Sequence, residues 1–235
     1  MKRFAALLRH DMVFQFRHGF YYAYLVATLA YIGIIYVLPP VAREKATLLV
    51  IFTDTSLLGM FFVGALVLLE RDQNTLAPLF VTPVSLLEYL VSKAVSLTAI
   101  ALLSSLTIYV AIQGPDMGVG LVAVAVTGAS LFFTLIGLSI AARSRSVPDY
   151  FIRSLGWGLL LCLPMVDYFG VVRSPLFYVL PPQPVLVLLD QSFGVERPAA
   201  VLASVVLCAG WVPVGMYLAR RGFRRHLLHY EGAHR

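Results

Sequence analysis

Hydrolytic chemistry would need a nucleophile close to a general base, and this chain keeps its histidines away from its apolar interior. The five histidines stand at positions 10, 18, 226, 229 and 234, close to the two ends of the chain. Ser130 lies deep in an apolar segment, where no histidine could activate its hydroxyl. The sequence contains neither HExxH nor the phosphate-cradling GxxxxGK[ST]. We therefore expect no catalysis, metal or cofactor from this chain, and interpret Ser130 as a small residue for helix packing.

Three ionisable residues interrupt apolar stretches: Asp54, Lys93 and Asp167. A charge at the centre of a membrane-spanning helix costs about 2.5–3.5 kcal/mol on insertion scales, so each of them needs a physical reason. Asp54 and Asp167 are predicted at similar depth, towards the outer ends of their helices. They either form a polar pathway or proton relay, or they are interfacial carboxylates that reach water. The sequence leaves both interpretations open.

The composition requires that these residues sit in a membrane. Of 235 residues, 60% are hydrophobic and only 13% are charged, and the mean hydropathy is +0.85. A soluble domain is about 45–50% apolar and about 25% charged, so this chain cannot cover a water-exposed surface. A span needs about 20 apolar residues, which allows roughly six helices. No room remains for a nucleotide-hydrolysing domain of about 100 residues or more, so any such domain must belong to a partner.

The sequence predicts an all-α integral membrane protein with one domain over residues 1–235 and six transmembrane helices. Pro39 and Pro40 end the first span, and Gly114 and Pro115 end the third. The last span stops at a pair of arginines. The predicted spans are about 20–38, 48–69, 86–113, 119–142, 151–170 and 199–219, followed by a basic cytoplasmic tail over 220–235.

Two further elements lie at or near the membrane surface. Phe4, Leu8, Met12 and Phe16 recur every four residues, which predicts an amphipathic interfacial helix over 1–19. Asp11 falls close to this apolar stripe and makes it imperfect. Between the last two spans, residues 173–198 are apolar but cut by prolines, so we expect a re-entrant or interfacial segment shielded by protein.

The distribution of positive charge sets the orientation. Six spans place 13 of the 18 Lys and Arg residues on the side that holds both termini, four on the other side, and Lys93 within the third span. The positive-inside rule makes the first side cytoplasmic. This bias also explains the net charge of +6, so we do not expect a nucleic-acid partner.

The connection between the second and third spans carries the most information. Charged residues mark its exit from lipid, and Leu76, Leu79 and Phe80 follow at i, i+3 and i+4. This spacing predicts about two turns of helix with one apolar face, ending before Pro83. Such a helix suits docking into a groove on another protein. An ordinary interfacial loop is the alternative that the residues alone leave open.

The run E-R-x-x-x-T-L…T-P-V-S…E…K, from Glu70 to Lys93, resembles the signature of the membrane subunits of type-2 ABC exporters. The resemblance implies that this loop forms the coupling helix that seats on the ATP-hydrolysing subunit. Asn74 stands where the family usually has glycine, and Pro78 interrupts the segment. The residues that the resemblance assigns to ATPase coupling are Glu70, Arg71, Thr75, Leu76, Leu79, Phe80 and Pro83.

Overall size and the run LPPQP…LLD, from Leu180 to Asp190, resemble small permeases for fluoroquinolone or other drug export. The resemblance implies a permease subunit in the plasma membrane with both termini cytoplasmic, paired with a second copy or a related permease. ATP and Mg²⁺ would bind to the partner ATPase. The apolar lining suits a lipophilic or amphiphilic cargo such as a drug or a lipid. The alternatives are an ion-gradient-driven secondary transporter that depends on Asp54 or Asp167, and a membrane scaffold that transports nothing.

Overall fold

The fold is known from a computed structural model, which describes residues 2–73, 84–115, 118–170, 175–194 and 198–226. Within these ranges the chain consists of helices and turns, without a strand. The prediction of an all-helical protein is therefore confirmed. The helices are α1 (Lys2–Arg17), α2 (Phe20–Val37), α3 (Pro40–Thr53), α4 (Gly59–Asp72), α5 (Leu86–Gln113), α6 (Gly118–Ala141), α7 (Val147–Leu161), α8 (Pro164–Tyr168), α9 (Pro182–Gln191) and α10 (Pro198–His226).

A π-helical turn, Asp54–Leu58, joins α3 to α4, so residues 40–72 form one helical rod. The sequence predicts a second span that starts only at residue 48. The observed helix starts earlier because Pro40 occupies its first turn, where the missing N–H is not needed. Arg43 then donates to the carbonyls of Leu38 and Tyr36, at 3.0 Å each, and thereby closes the end of α2. The helix therefore begins well before the apolar segment that hydropathy identifies.

The fifth predicted span, 151–170, is not one helix. The helix α7 ends at Leu161, and the separate short helix α8 starts at Pro164 after a turn. Proline lacks the N–H that would continue the ladder, and its ring clashes with the carbonyl four residues earlier. With 15 residues, α7 is shorter than the roughly 20 residues that a straight crossing needs.

Among the described residues, five helices are long and apolar enough to cross a membrane. They are Phe20–Val37, Pro40–Asp72, Leu86–Gln113, Gly118–Ala141 and Pro198–Arg225. They match predicted spans one to four and six. Predicted span five has the broken form described above, so the count of six remains a prediction.

Helix α6 forms the centre of the bundle, where it packs against α4, α5, α9 and α10. All its residues from Phe132 to Ala141 are buried. The predicted packing role of Ser130 fits its position, because the hydroxyl of Thr98 on α5 donates to Ser130 Oγ at 3.0 Å. Helix α9 lies in the segment predicted to be re-entrant. It has only ten residues, and most of them are buried, so it is shielded by protein but too short to cross.

The start of α5 is fixed by a capping box. The hydroxyl of Ser85 accepts from the N–H of Glu88, and the Glu88 carboxylate accepts from the N–H of Ser85 at 2.8 Å. We expect Ser85→Ala to lower the free energy of unfolding by about 1 kcal/mol. Unfolding in mixed micelles would measure this loss. Ser85→Thr, which retains the cap, is the matched control, and equal stability of Ser85→Ala and wild type would contradict the assignment.

Candidate functional site

The N-terminal helix α1 turns a polar face towards the bundle. Leu7, Asp11 and Gln15 are buried at a spacing of four residues, whereas Met12 and Phe16 of the predicted apolar stripe are exposed. The helix packs against α5 and α2. Asp11, which makes the stripe imperfect in sequence, therefore belongs to the face that contacts the protein. Phe4 and Leu8 of the stripe are half-buried, and its role at a membrane surface stays a prediction.

Asp11, Glu70 and Lys93 form a buried ion cluster that joins α1, α4 and α5. Lys93 Nζ lies 2.6 Å from Asp11 Oδ1 and also pairs with Glu70 Oε1. Two hydroxyls complete the cluster, since Ser92 donates to Asp11 Oδ2 and Tyr89 donates to Glu70 Oε2 at 2.8 Å. Lys93 and Asp11 are each only 1% exposed. Burial carries a desolvation cost for each charge, so the cluster is stable only if the geometry of its ion pairs and hydrogen bonds offsets that cost.

Two aromatic rings and a further hydrogen bond lie next to the ion cluster. Lys93 Nζ lies 5.8 Å from the ring centroid of Phe14 and 5.4 Å from that of Tyr89, within the range of cation–π attraction. One turn further along both helices, Gln15 Nε2 donates to Ser96 Oγ at 2.8 Å. The ring of Tyr89 also packs against Phe223 of α10, at 5.7 Å between centroids. Four helices thus meet around the ion cluster.

The ion cluster lies beside the connection between α4 and α5, which the sequence assigns to ATPase coupling. Glu70 is itself a member of the ion cluster. Arg71 donates from Nη1 to the carbonyl of Ser144 at 2.7 Å, and so ties the end of α4 to the turn between α6 and α7. At the far side of the connection, Ser85 caps α5. The end of α4 is therefore tied to the bundle, and the first residue of α5 is fixed by its cap.

The other predicted coupling residues lie outside the described residues. Thr75, Leu76, Leu79, Phe80 and Pro83 all fall within residues 74–83. Their assignment to ATPase coupling stays a prediction.

Asp54 and Asp167, which the sequence places at similar depth, belong to different groups of side chains. Asp54 is 1% exposed and lies 3.3 Å from Ser104 Oγ. Asp167 is half-buried and accepts from Gln183 Nε2 at 3.4 Å. The interpretation of Asp54 as an interfacial carboxylate that reaches water does not fit its burial. Lys93, the third predicted in-membrane polar residue, is paired with the carboxylates of Asp11 and Glu70 in the ion cluster.

Sequence reasoning missed Asp11, one of the two carboxylate partners of Lys93. Two signals were available: Lys93 needed a nearby carboxylate, and Asp11 interrupted an otherwise apolar stripe. The separation of 82 residues between them hid the pair. Tyr89 and Ser92 flank Lys93 in sequence and supply hydroxyls to the two carboxylates, a role that no spacing rule indicates.

The ion cluster is a structural link between three helices. Each of its polar groups meets a charge or hydroxyl from another helix, so α1, α4 and α5 are held together near the end of α4.

Comparison with known proteins finds one family and two curated relatives. A model of the fluoroquinolones export permease protein family matches residues 2–231. The chain is 28% identical over 217 residues to a protein named fluoroquinolones export permease in Mycobacterium tuberculosis strain CDC 1551 / Oshkosh. The same identity and length hold for the protein so named in strain ATCC 25618 / H37Rv. Each match covers 89% of this chain and 92% of the relative.

Proposed function

Because the chain belongs to the fluoroquinolones export permease family, we propose that it is the membrane-spanning permease subunit of an ATP-driven ABC exporter. The chain is a multi-pass membrane permease of an export system. ATP-driven operation needs a partner, since the sequence has no phosphate-cradling loop. ATP and Mg²⁺ bind to that partner ATPase.

The observation that carries this proposal is the attachment of the end of α4 to the rest of the bundle. Contacts of Glu70 and Arg71 hold it to α5 and to the turn between α6 and α7, and the connection 74–83 that follows resembles a coupling helix in sequence. An ATPase that docks on Leu76, Leu79 and Phe80 would pull on the end of α4 and the start of α5. Its closure would therefore shift α4 and α5 as rigid bodies, and α1 would follow through the ion cluster.

The resemblance to type-2 ABC exporters supplies the remaining parts of the proposed assembly. Two copies of the chain, or one copy and a related permease, enclose the translocation path, and an ATPase docks on each. Six spans place both termini in the cytoplasm, α1 lies in the membrane interface, and the α9 region enters from the outer side without crossing. The basic arginines at the end of α10 agree with a cytoplasmic position under the positive-inside rule.

The cargo is a lipophilic or amphiphilic molecule such as a drug or a lipid. The relatives are named for fluoroquinolones, and this chemical class is the first to test. The described spans expose mostly apolar side chains, and Asp54 and Lys93, which interrupt their apolar stretches, are buried and paired or hydrogen-bonded. A small ion or a sugar phosphate would find few partners on such a surface.

Phe80→Asp should separate the permease from its ATPase. An aromatic anchor at an interface typically contributes about 2 kcal/mol or more, so the affinity should fall by roughly 30-fold or more. The measurement is the amount of ATPase that co-purifies with the tagged permease in mild detergent. Gln73→Asp adds the same charge to an exposed polar position at the start of the connection and should leave recovery unchanged. Normal recovery with Phe80→Asp, at normal membrane insertion, would overturn the docking assignment.

A second candidate function is ion-gradient-driven transport without an ATPase. It is favoured by one observation: Asp54, within the 33-residue helix Pro40–Asp72, is buried inside the bundle without a charged partner among the described residues. This candidate predicts transport that persists without ATP and stops when the ion gradient is collapsed.

A further inference from the structure

The carboxyl group of Asp54 lies inside the bundle without a charged partner. Asp54 is 1% exposed, and its Oδ1 has no hydrogen-bond partner among the described residues. In the described part of the chain, no Lys or Arg pairs with it. On α5 the nearest cation to the contact residue Ser104 is Lys93, which lies about 16 Å away along the helix at 1.5 Å per residue and already pairs with two carboxylates.

Asp54 is the last member of a chain of four oxygen atoms. The chain runs from the backbone carbonyl of Tyr24 to Thr28 Oγ1 at 2.7 Å, on to Ser104 Oγ at 2.7 Å, and finally to Asp54 Oδ2 at 3.3 Å. It connects α2 and α5 to the π-helical turn that starts at Asp54. π-helical turns inside α-helices are frequent at functional sites.

Counting protons along this chain shows which form of Asp54 fits. The three contacts need three donors, and the two hydroxyls of Thr28 and Ser104 supply only two. The carbonyl of Tyr24 can only accept, and an ionised carboxylate can only accept as well. With Asp54 ionised, one of the three close oxygen pairs would be left without a hydrogen. A protonated Asp54 donates to Ser104 Oγ, Ser104 donates to Thr28, and Thr28 donates to Tyr24, so every contact is satisfied.

The surroundings favour the same form. A carboxylate buried without a partner carries a large desolvation cost, and such a group takes up a proton instead. The titratable groups that face Asp54 from α2 are the phenols of Tyr24 and Tyr31, which are uncharged. The side chains that meet this region from α5 are Ser104 and Ser105, and Thr134 of α6 lies close to Gly59, which follows the π-helical turn. None of these groups could stabilise a negative charge by its own charge.

We propose that Asp54 is a proton-binding site in the membrane interior, occupied at neutral pH in this arrangement of the helices. The proton is held between α2, α5 and the π-helical turn. Any separation of these helices removes the acceptor Ser104 and admits water, which favours the charged carboxylate and releases the proton to that water. Proton binding and this closed arrangement therefore stabilise each other by linkage. The site does not depend on an ATPase partner, so it stands or falls separately from the proposed function.

The test is infrared spectroscopy of the purified protein in lipid nanodiscs. We expect the wild type at pH 7 to show the carbonyl band of a protonated carboxyl group that Asp54→Asn lacks. Asp167→Asn, which removes a half-buried carboxylate elsewhere, should keep the band. In Ser104→Ala the band should shift, because the acid loses its hydrogen-bond acceptor but stays protonated. An identical spectrum for wild type and Asp54→Asn at pH 7 would overturn the proposal.

A pH titration adds a readout that serves even if Asp54→Asn folds poorly. In the wild type, alkaline pH should remove the carboxyl band, and the melting temperature should fall as the pH rises towards that range and become level once the band is gone. This sign follows because the folded protein binds the proton that the opened chain releases. An asparagine side chain cannot titrate, so Asp54→Asn should not show this fall. A carboxylate band that is already complete at pH 7 and insensitive to higher pH would contradict the proposal.

Discussion

Lys93→Met is expected to lower the free energy of unfolding by about 3–5 kcal/mol, because it leaves the carboxylates of Asp11 and Glu70 buried without their cation. Methionine has nearly the same length as lysine, so the loss reflects the missing charge rather than a cavity. Unfolding in mixed micelles, followed by circular dichroism, would measure it. The same variant should also loosen α1 from α5, which protease cleavage within α1 would report.

Two variants separate the ion cluster from a general effect of losing a cation. Arg153→Met removes the partner of Asp149 in an exposed pair, where the Arg153 hydrogen bond lowers the pKa of the Asp149 carboxyl. Solvent screens this pair, so stability should barely change. Combining Lys93→Met with Asp11→Asn and Glu70→Gln removes all three charges and should recover part of the loss. Wild-type stability of Lys93→Met alone would contradict the described cluster.

Gly64→Ala is expected to destabilise the bundle by about 1–3 kcal/mol, the range typical of overpacked cores. A methyl group on Gly64 would occupy the space of the Tyr150 ring. That ring cannot retreat easily, because Tyr150 is fully buried and donates its hydroxyl hydrogen to the carbonyl of Met60. The methyl group would therefore push α4 and α7 apart. The melting temperature in detergent is the measurement.

Gly33→Ala is the matched control for this substitution. A methyl group on Gly33, in the middle of α2, meets nothing within 4 Å. Its melting temperature should stay close to that of wild type. If Gly64→Ala behaved like Gly33→Ala, the close contact of α4 with α7 would be wrong.

Apolar periodicity and proline positions predicted most helices well. The third span, predicted over 86–113, is observed as Leu86–Gln113, because a serine cap and a glycine end bound it in sequence. The second span begins eight residues before its apolar segment, at Pro40 rather than residue 48. Hydropathy detects where lipid contact begins, whereas a helix continues for as long as its backbone hydrogen bonds can form.

The site was predicted less completely, because its contacts join distant parts of the chain. Glu70 and Arg71 were identified from the connection between two spans, but their partners Lys93 and Ser144 come from another helix and from the turn between α6 and α7. Asp11 had no motif around it. Its role depends on α1 folding back against α5, and this tertiary packing leaves only a weak trace in a single sequence.

Purification of the tagged wild-type protein from its host tests most directly whether this permease works with an ATPase. Mild detergent would preserve the complex, and mass spectrometry would identify and count the chains that accompany the permease. We expect one ATPase chain, carrying a GxxxxGK[ST] loop, for each permease chain. Recovery of the permease without an ATPase, together with transport driven by an ion gradient alone, would contradict the proposed function.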